Sequence, residues 1–278
     1  MVRTGAVAAM ALLLAVSAHA QQAEIGIKPV ELTEPSYTFD TAEQHGIRVS
    51  VLAKLPARPF AIEFLPGGDL LIVERGMGLR VLRGATGANP KLDPELVTGM
   101  PRPAEAFFSV GVQDVKLHPD FAANHWIYFT YNDPAPRPEG DAGPPNQRSA
   151  RLKLMRGKLD NGRVSEVETL LEGGVSSALG SRLAFAPDGK LFMTTGGAFG
   201  AVAQDLSTIY GKVLRLNADG SVPADNPFVG REGAQPAIYS YGHRDQHGLM
   251  VQPQTGQVLN AEHGPNGGDE VNLIRPGA

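Results

Sequence analysis

The feature that most constrains the fold is a hairpin pattern that recurs four times along the 278-residue chain. In each copy an apolar strand is followed by a turn of Pro with Gly or Asp, and then by a second apolar strand. The turn prolines are Pro66, Pro119, Pro187 and Pro253, at intervals of about 50 to 70 residues. The four copies are AIEFLPGGDLLIVER (61–75), VKLHPDFAANHWIYFTY (115–131), RLAFAPDGKLFMTT (182–195) and LMVQPQTGQVLNAEH (249–263).

The spacing of these hairpins predicts an all-β fold, a β-propeller of four-stranded blades with about four blades in this chain. Further strand-like segments lie between them at 79–82, 151–159 and 211–216, and no segment reads as an amphipathic helix. A β-sandwich is the alternative, but its turns recur every ~8–12 residues without the longer period. The Pro-rich stretches 132–149 and 217–236 are interpreted as loops, where binding residues commonly lie.

The first twenty residues have the layout of a secretory signal peptide. Arg3 gives a positive start, residues 6–16 are an apolar run too short to span a bilayer, and 18–20 read Ala-His-Ala before Gln21. A buried N-terminal helix is the alternative. We therefore expect a signal peptide over 1–20, an N-terminal arm over 21–45 and an incomplete propeller domain over 46–278. The mature protein is then periplasmic or secreted.

Composition excludes several classes of function. The net charge is −4, so there is no basic surface that would indicate nucleic acid or anionic lipid as a partner. The chain has no cysteine, which excludes disulfides and thiolate metal sites. No later apolar run has the length of a membrane span. The glycine run 196–200 lacks the Lys-Ser/Thr of a phosphate-binding loop, and there is no dinucleotide fingerprint.

A Gly/Pro-rich loop near the C-terminus, EHGPNGGDEVNLI (262–274), carries the clearest chemical signal. Gly264 and Pro265 can offer backbone carbonyls, and Asp269 and Glu270 offer carboxylates. Ca²⁺ prefers about six to eight such oxygen ligands. The loop therefore predicts a calcium site, and the alternative is a glycine-rich turn followed by a capped strand.

Two further histidines would allow a different metal. His243 and His247 are four residues apart, which on a helix would suggest zinc. Gly242 and Gly248 flank them and the segment shows no helical periodicity, which argues against that alternative.

Five stretches together resemble one protein family: LHPDFAANHWIYFTY, GSRLAFAPDGKLF, YGKVLRLNADGSVPADNPF, IYSYGHRDQHGL and AEHGPNGGDEVNLIRPGA. In them, from about Pro59 to Ala278, the chain is similar to the soluble quinoprotein sugar dehydrogenases. These are the PQQ-dependent aldose and glucose dehydrogenases of the glucose/sorbosone dehydrogenase family. The resemblance implies a six-bladed propeller that holds PQQ and Ca²⁺ in a cleft at its top. It also leads us to expect further blades beyond residue 278.

The resemblance implies a hydride transfer from the sugar's anomeric carbon to the quinone. In the family, Ca²⁺ polarises a quinone carbonyl, a histidine base takes the anomeric proton, an aspartate orients that histidine, and an arginine stabilises the developing charge. The matching positions here are Gly264, Pro265, Asp269 and Glu270 for calcium and Arg244 for the arginine. A surface ion pair is the alternative for Arg244.

Several positions depart from the family pattern. The base position holds Ala178 and its aspartate partner is replaced by Gly197. Of the cofactor contacts, the family's Asn and Gln after the arginine are Asp245 and His247 here, and a family Gln is Ser109. His263 stands at a pocket-lining position. His247 is the candidate substitute for the base.

Two functions remain open from the sequence. The first is a periplasmic quinoprotein oxidoreductase that acts on a small sugar and passes electrons to an unknown acceptor. Its activity would be impaired, because a general base contributes ~10²–10⁴-fold in rate. The second is a non-catalytic calcium-binding propeller of the same family that binds a sugar or a partner protein.

Overall fold

The computed structural model describes residues 31–103, 110–140, 148–177, 180–197 and 199–278. The chain divides into two compact units, Met1–Val51 and Leu52–Ala278. In the described part of the first unit, β1 (Ser36–Phe39) pairs antiparallel with β2 (Ile47–Ser50). This hairpin spans residue 46, where the sequence analysis placed a boundary. The segment predicted as a signal peptide lies outside the described residues, as do Ser109 and Ala178.

The second unit contains four antiparallel sheets, each built from strands that follow one another along the chain, so it is a β-propeller. Blade 1 comprises β3 (Pro59–Phe64), β4 (Leu70–Glu74), β5 (Gly78–Arg83) and β6 (Lys91–Leu92). Blade 2 comprises β7 (Gly111–Leu117), β8 (Trp126–Ala135), β9 (Ser149–Asp160) and β10 (Arg163–Ser176). Blade 3 comprises β11 (Leu183–Phe185), β12 (Leu191–Thr195), β13 (Lys212–Leu216) and β14 (Ile238–Tyr241). Blade 4 comprises β15 (Asp245–Val251), β16 (Val258–His263) and β17 (Glu270–Ile274).

The blades stack face to face because their strands are apolar on both sides. Side chains alternate between the two faces of a strand. On β8, Phe129 packs into the core shared with blade 1, whereas its neighbour Tyr128 packs into the core shared with blade 3. On β12, Met193 faces blade 2 and Phe192 faces blade 4. Each such side chain, fully buried, contributes on the order of 1.5–3 kcal/mol to folding.

The first strands of the blades line the centre of the propeller. β3 lies against β7, β7 against β11, and β11 against β15. Consecutive strands of a blade run in opposite directions, so every second connection lies at the same end of the sheets. We call the end at which β3, β7, β11 and β15 begin the upper end. Its described connections include Gly242–Arg244 and the turn Gly264–Asp269, together with Gly197.

All four hairpins found in the sequence are confirmed, each as the first two strands of a blade. The loop predicted at 217–236 is also confirmed, since it lies between β13 and β14. The loop predicted at 132–149 is wrong at both ends, because β8 continues to Ala135 and β9 begins at Ser149. Beyond Asn132, β8 still pairs with β9 but no longer with β7, so one edge of β8 has no partner strand. Pro134 is tolerated there because proline, which lacks an N–H, is compatible with an edge strand.

Helical structure contributes little to the described part of the chain. Its α-helix is α1 (Phe121–Asn124), a single turn between β7 and β8. None of the described residues forms a helix with the length and apolarity to cross a bilayer.

Candidate functional site

A cavity of about 360 Å³ opens at the upper end of blade 4. It is lined by residues of β15, β16 and β17 and by one residue of the β16–β17 turn: His247, Gly248, Ala261, Glu262, His263, Asp269, Glu270 and Val271. Four residues singled out in the sequence, His247, His263, Asp269 and Glu270, therefore share one space.

The turn that closes β16–β17 folds tightly upon itself. The Asp269 side chain accepts a hydrogen bond from the Gly264 backbone N–H at 2.9 Å, and its other oxygen lies 3.3 Å from His263 Nδ1. These two contacts, the Gly264 bond first, lower the pKa of the Asp269 carboxyl. A methyl group at Gly264 would lie 2.1 Å from the Gly267 carbonyl oxygen. The turn therefore requires glycine at 264 and holds Asp269 ionised.

The register of blade 4 brings a second carboxylate beside Glu270. Glu262 lies directly opposite Glu270 across β16 and β17, and the Asn272 amide donates to both, at 2.9 and 3.1 Å. Glu262 also accepts the Arg244 backbone N–H at 2.9 Å and lies 3.4 Å from His243 Nδ1. Burial raises the pKa of Glu262, but these hydrogen bonds outweigh it and the pKa lies below its usual value. Glu262 was not predicted from the sequence, where its only local signal is its place before His263.

His243 and His247 do not converge on one metal ion. His243 is buried, and its ring contacts Ser240 Oγ at 2.9 Å in addition to Glu262. His247 pairs with Asp245 instead. Among the described residues, no group of three or more His, Asp or Glu side chains is arranged to hold a metal ion. Such a group consists of side chains alone. It therefore does not include the backbone carbonyls of Gly264 and Pro265, which were predicted from the sequence as calcium ligands.

Asp245 and His247 form a close pair at the start of β15. His247 Nε2 lies 3.1 Å from Asp245 Oδ1, and this hydrogen bond is the main cause that lowers the pKa of Asp245. His247 is the extra residue of a β-bulge, because Gln246 faces Glu262 and Gly248 faces Ala261. Bulges re-aim side chains near active sites. The His247 ring lies 5.1 Å from the His263 ring.

Arg244 connects the two loops of the upper end. Its Nη1 donates to the His263 carbonyl at 2.9 Å, and its own carbonyl accepts the Gly197 N–H at 2.6 Å. The guanidinium is close enough to Asp245 and Asp269 to lower the pKa of both. Arg244 therefore supplies positive charge next to the cavity.

Gly197 lies in backbone contact with two other segments. A methyl group there would lie 2.3 Å from the Gly211 Cα and 2.7 Å from the His243 carbonyl oxygen. No side chain fits at this position unless the backbone moves. An aspartate, which the family resemblance implies at this position, cannot be accommodated in this backbone.

A junction of charged residues beneath the cavity was also missed from the sequence. Arg182 donates its Nε–H to the His247 carbonyl at 2.9 Å and an Nη1–H to the Gln113 carbonyl at 3.1 Å. Its guanidinium lies over the Phe60 ring, as does that of Arg75. Burial lowers the pKa of Arg75 to about 10. Arg182, directly before the first strand of blade 3, thus contacts the first strands of blades 1, 2 and 4. No local motif distinguishes the residues that make these contacts.

Comparison with known proteins gives the following matches. The chain matches the family described as Glucose / Sorbosone dehydrogenase over residues 56–278. It is 33% identical over 239 residues to the aldose sugar dehydrogenase YliI of Escherichia coli, covering 83% of this chain and 60% of that protein. It is 31% identical over 269 residues to quinoprotein glucose dehydrogenase B of Acinetobacter calcoaceticus, covering 86% of this chain and 53% of that protein.

Solved structures give the same result. A glucose dehydrogenase crystal structure superposes with a TM-score of 0.71 and 34% identity, over 82% of this chain and 64% of that one. The PQQ-bound aldose sugar dehydrogenase of Streptomyces coelicolor superposes with a TM-score of 0.61 and 27% identity, over 81% of this chain and 62% of that one. The chain thus spans between about half and two thirds of the length of these proteins.

Proposed function

Because this chain belongs to the glucose/sorbosone dehydrogenase family, we propose that it carries the catalytic face of a PQQ-dependent sugar dehydrogenase. The proposed reaction oxidises an aldose at its anomeric carbon. The observation that supports this most is the upper-end cavity, where His247, His263, Asp269 and Glu270 meet beside Arg244. The relatives named above as aldose sugar dehydrogenase and quinoprotein glucose dehydrogenase support the substrate class.

The residues around the cavity suit an anionic, planar cofactor such as PQQ. The volume of about 360 Å³ lies in the range of ~300–1,000 Å³ common for small-molecule sites. Glu262, Asp269 and Glu270 line the cavity and Asp245 lies beside it, so the positive charge of Arg244 and of a cation at the β16–β17 turn would offset these carboxylates beside an anionic cofactor. We propose that Arg244, Asp245, His247 and His263 contact the cofactor, together with Ser109, which lies outside the described residues. When bound, PQQ supplies an ortho-quinone that accepts a hydride.

We propose that the β16–β17 turn binds Ca²⁺ through the Gly264 and Pro265 carbonyls and the carboxylates of Asp269 and Glu270. Both acidic residues line the same cavity, and mixed carboxylate and carbonyl oxygens are the ligands Ca²⁺ prefers. Asp269 is held ionised by the Gly264 N–H, so no proton must leave before a cation binds. Bound there, the ion would place positive charge beside the space that we assign to the quinone.

Arg244 has a defined task in this proposal. A fixed cation next to a group that gains negative charge stabilises the transition state, because it needs no reorganisation at the moment of reaction. Arg244 is held for this by two backbone hydrogen bonds, to Glu262 and from Gly197, and by its contact with the His263 carbonyl.

The proposal extends to location and partners. The N-terminal twenty residues have the pattern of a signal peptide, which supports a periplasmic or secreted protein. The substrate is a small sugar, and a separate electron acceptor must re-oxidise the cofactor. We propose no nucleic acid or membrane-spanning role.

A second candidate is a non-catalytic calcium-binding propeller of this family that binds a sugar or a partner protein. Two observations favour it. Ala178 has no group that accepts a proton, and the backbone at Gly197 leaves no room for the aspartate that would orient a base. The two candidates differ in whether the cofactor binds and turns over.

The test is reconstitution of the full-length exported protein with PQQ and Ca²⁺, followed by dye reduction with a panel of aldoses. We expect cofactor-dependent absorbance and turnover, and a loss of kcat of about 10²–10³-fold in Arg244→Ala. Arg163→Ala, at the exposed β9–β10 turn, is the matched control and should behave like the wild type. Absence of both cofactor absorbance and turnover would contradict the dehydrogenase and leave the non-catalytic candidate.

A further inference from the structure

The Asp245–His247 pair has the geometry of a general base and its orienting group. His247 Nε2 lies 3.1 Å from Asp245 Oδ1, and this contact lowers the pKa of Asp245, so the carboxylate is suited to accept a hydrogen bond from Nε2–H. The neutral imidazole then carries its lone pair on Nδ1. Both side chains are about one third exposed, so the ring remains accessible from the cavity.

The carboxylate of this pair lies close to Gly180, which precedes the first strand of blade 3. A methyl group at Gly180, two residues after Ala178, would lie 3.2 Å from Asp245 Oδ1. The Asp245 carboxylate is therefore next to Gly180, which follows Ala178 by two residues in the sequence. The bulge at His247 places the imidazole out of the regular pairing of β15 with β16.

Arg182 fixes the backbone that carries His247. Its Nε–H donates to the His247 carbonyl at 2.9 Å, and Nη1 donates to the Gln113 and Ser181 carbonyls. Its guanidinium also lies 4.4 Å from the centroid of the Phe60 ring, and the Phe60 ring contacts the His247 ring edge-on. Arg182 thus holds the His247 backbone directly, through the His247 carbonyl. It holds the His247 ring indirectly, because the Phe60 ring contacts both the guanidinium and the imidazole.

We propose that His247 is the general base of the sugar oxidation, oriented by Asp245 and positioned by Arg182; this rests on the function proposed above. The anomeric O–H proton passes to His247 Nδ1. The C1–H hydrogen leaves with its electron pair to the ortho-quinone oxidant, and the C1–O bond becomes the carbonyl of a lactone. The sugar loses two electrons and the quinone gains them. His247 is the catalytic residue, and Arg182 is a positioning residue.

The charges around His247 come from several elements. On its own strand the facing group is Asp245, and the His263 ring of β16 lies 5.1 Å from the His247 ring. The carboxylates of Glu262, Asp269 and Glu270 line the same cavity. The charges that act on Asp245, in addition to His247, are Arg244, His263 and Arg75. The pair therefore lies among both carboxylates and cations, and Arg244 and Arg75 favour the ionised form of Asp245.

The first experiment observes the imidazole directly and needs no cofactor. In ¹⁵N-labelled full-length protein at a pH where the ring is neutral, NMR should show His247 as the Nε2–H tautomer. In Asp245→Asn the amide can donate to Nε2 instead, and we expect the Nδ1–H tautomer to become populated. His125, which forms a similar pair with Asp160 at the opposite end of blade 2, should keep its tautomer in this variant. A wild-type Nδ1–H tautomer, or no change in Asp245→Asn, would overturn the proposed pair.

The second experiment measures turnover of the PQQ- and Ca²⁺-loaded protein. We expect His247→Ala to keep cofactor absorbance and to lose about 10²–10⁴-fold in kcat, with partial rescue by added imidazole. Arg182→Lys keeps the charge but loses the planar fork, so it should lower kcat with little change in KM and alter the dependence of the rate on pH. The control His125→Asn should match the wild type.

The outcomes separate this inference from the proposed function. Normal kcat in His247→Ala, with cofactor bound, would show that another group takes the proton while the dehydrogenase stands. A loss in His247→Ala without imidazole rescue, accompanied by loss of cofactor absorbance, would make His247 a binding residue and overturn its role as base. A wild-type protein without cofactor absorbance would contradict the dehydrogenase itself.

Discussion

Gly197 shows how a single residue excludes a family feature. Its Cα lies against the Gly211 backbone and the His243 carbonyl, and even a methyl group would come within 2.3 Å of the Gly211 Cα. Gly211 is itself at φ +71° and packs on Ala203. The absence of side chains at Gly197 and Gly211 thus allows their two segments to contact each other and the His243 backbone. An acid–base arrangement that needs a side chain at residue 197 is incompatible with this packing.

We therefore predict that Gly197→Ala destabilises the protein. Overpacking a close backbone contact costs about 1–3 kcal/mol or more, since the neighbours are backbone atoms that cannot rotate away. Urea unfolding followed by circular dichroism measures the change, and Gly189→Ala, where a methyl group meets open space but φ is +79°, separates crowding from strain. If Gly197→Ala unfolds at the wild-type urea concentration, the close packing around residue 197 is wrong.

Lys212 is a buried cation that the proposed site does not use. Its side chain is fully buried at the start of β13, and Nζ donates to the carbonyls of Val202, Ala203 and Tyr210 at 3.0, 3.0 and 2.6 Å. Burial lowers the pKa of Lys212 to about 8. The Lys212 ammonium therefore stabilises the connection between β12 and β13 at the upper end of blade 3.

We predict a pH dependence of stability from Lys212. Between pH 8 and about 10.5 the unfolded chain keeps a proton on this lysine that the folded chain releases, so the free energy of unfolding rises with pH in this window. Relative to Lys212→Met, the wild type should gain about 1–3 kcal/mol from pH 7.5 to 10 in chemical unfolding. Lys91→Met, on the exposed edge strand β6, is the control and should show no such difference. A wild-type free energy that falls relative to Lys212→Met would contradict the assigned shift.

At the scale of elements, blade 4 has one buried and one exposed apolar face. Val258 and Ile274 pack into the core shared with blade 3. The opposite face carries a cross-strand row of Met250, Leu259 and Leu273, with Val271 beside it, and Val271 is 75% exposed. Contiguous exposed apolar side chains on a sheet favour association.

We predict that this chain associates through the exposed face of blade 4. Sedimentation velocity should show mass rising with concentration for the wild type, and the double variant Val271→Lys, Leu273→Lys should remain monomeric over the same range. Melting of the variant should change little, because neither side chain is buried. As a control, Val229→Lys alters an exposed apolar residue in the β13–β14 loop. Equal association of all three proteins would place the contact elsewhere.

At the scale of the whole propeller unit, the site depends on strands that come from different blades. Arg182 of blade 3 holds the Gln113 carbonyl of blade 2 and the His247 carbonyl of blade 4, and it covers Phe60 of blade 1. Asp114 of blade 2 accepts the Leu183 N–H of blade 3 at 2.8 Å, and burial raises its pKa. The backbone that carries His247 is therefore held by a contact from Arg182, which also contacts blades 1 and 2.

We predict that Ca²⁺ raises the melting temperature of the folded protein. An ion that binds the folded turn and not the unfolded chain stabilises by RT ln(1 + [L]/Kd), about 2.7 kcal/mol when its concentration is 100 times Kd. Differential scanning calorimetry with and without Ca²⁺ measures the shift. The variant Asp269→Ala, Glu270→Ala should lose it, and Asp188→Ala with Glu139→Ala, outside the turn, should retain it. An undiminished shift in the first variant would place the ion at another site.

Much of the fold could be predicted from local sequence. The four hairpins, the strands β5, β9 and β13 and the loop at 217–236 follow from apolar runs separated by Pro, Gly and Asp. The ends of the loop at 132–149 were wrong, because the ladder between β8 and β9 overrides the low strand propensity of proline there. Of the site, the motifs around Arg244 and Asp269 were found because their residues are neighbours in the sequence.

What the sequence by itself determined is therefore the order of the hairpins and the family, since each depends on residues close together in the chain. Only the tertiary structure decided that His247 pairs with Asp245 on a bulge, that Arg182 joins four blades, and that Gly197 admits no side chain. These contacts join segments that are far apart in sequence, such as Arg182 and His247, 65 residues apart. Local propensity carries no information about such contacts, because the packing of one blade on the next creates them.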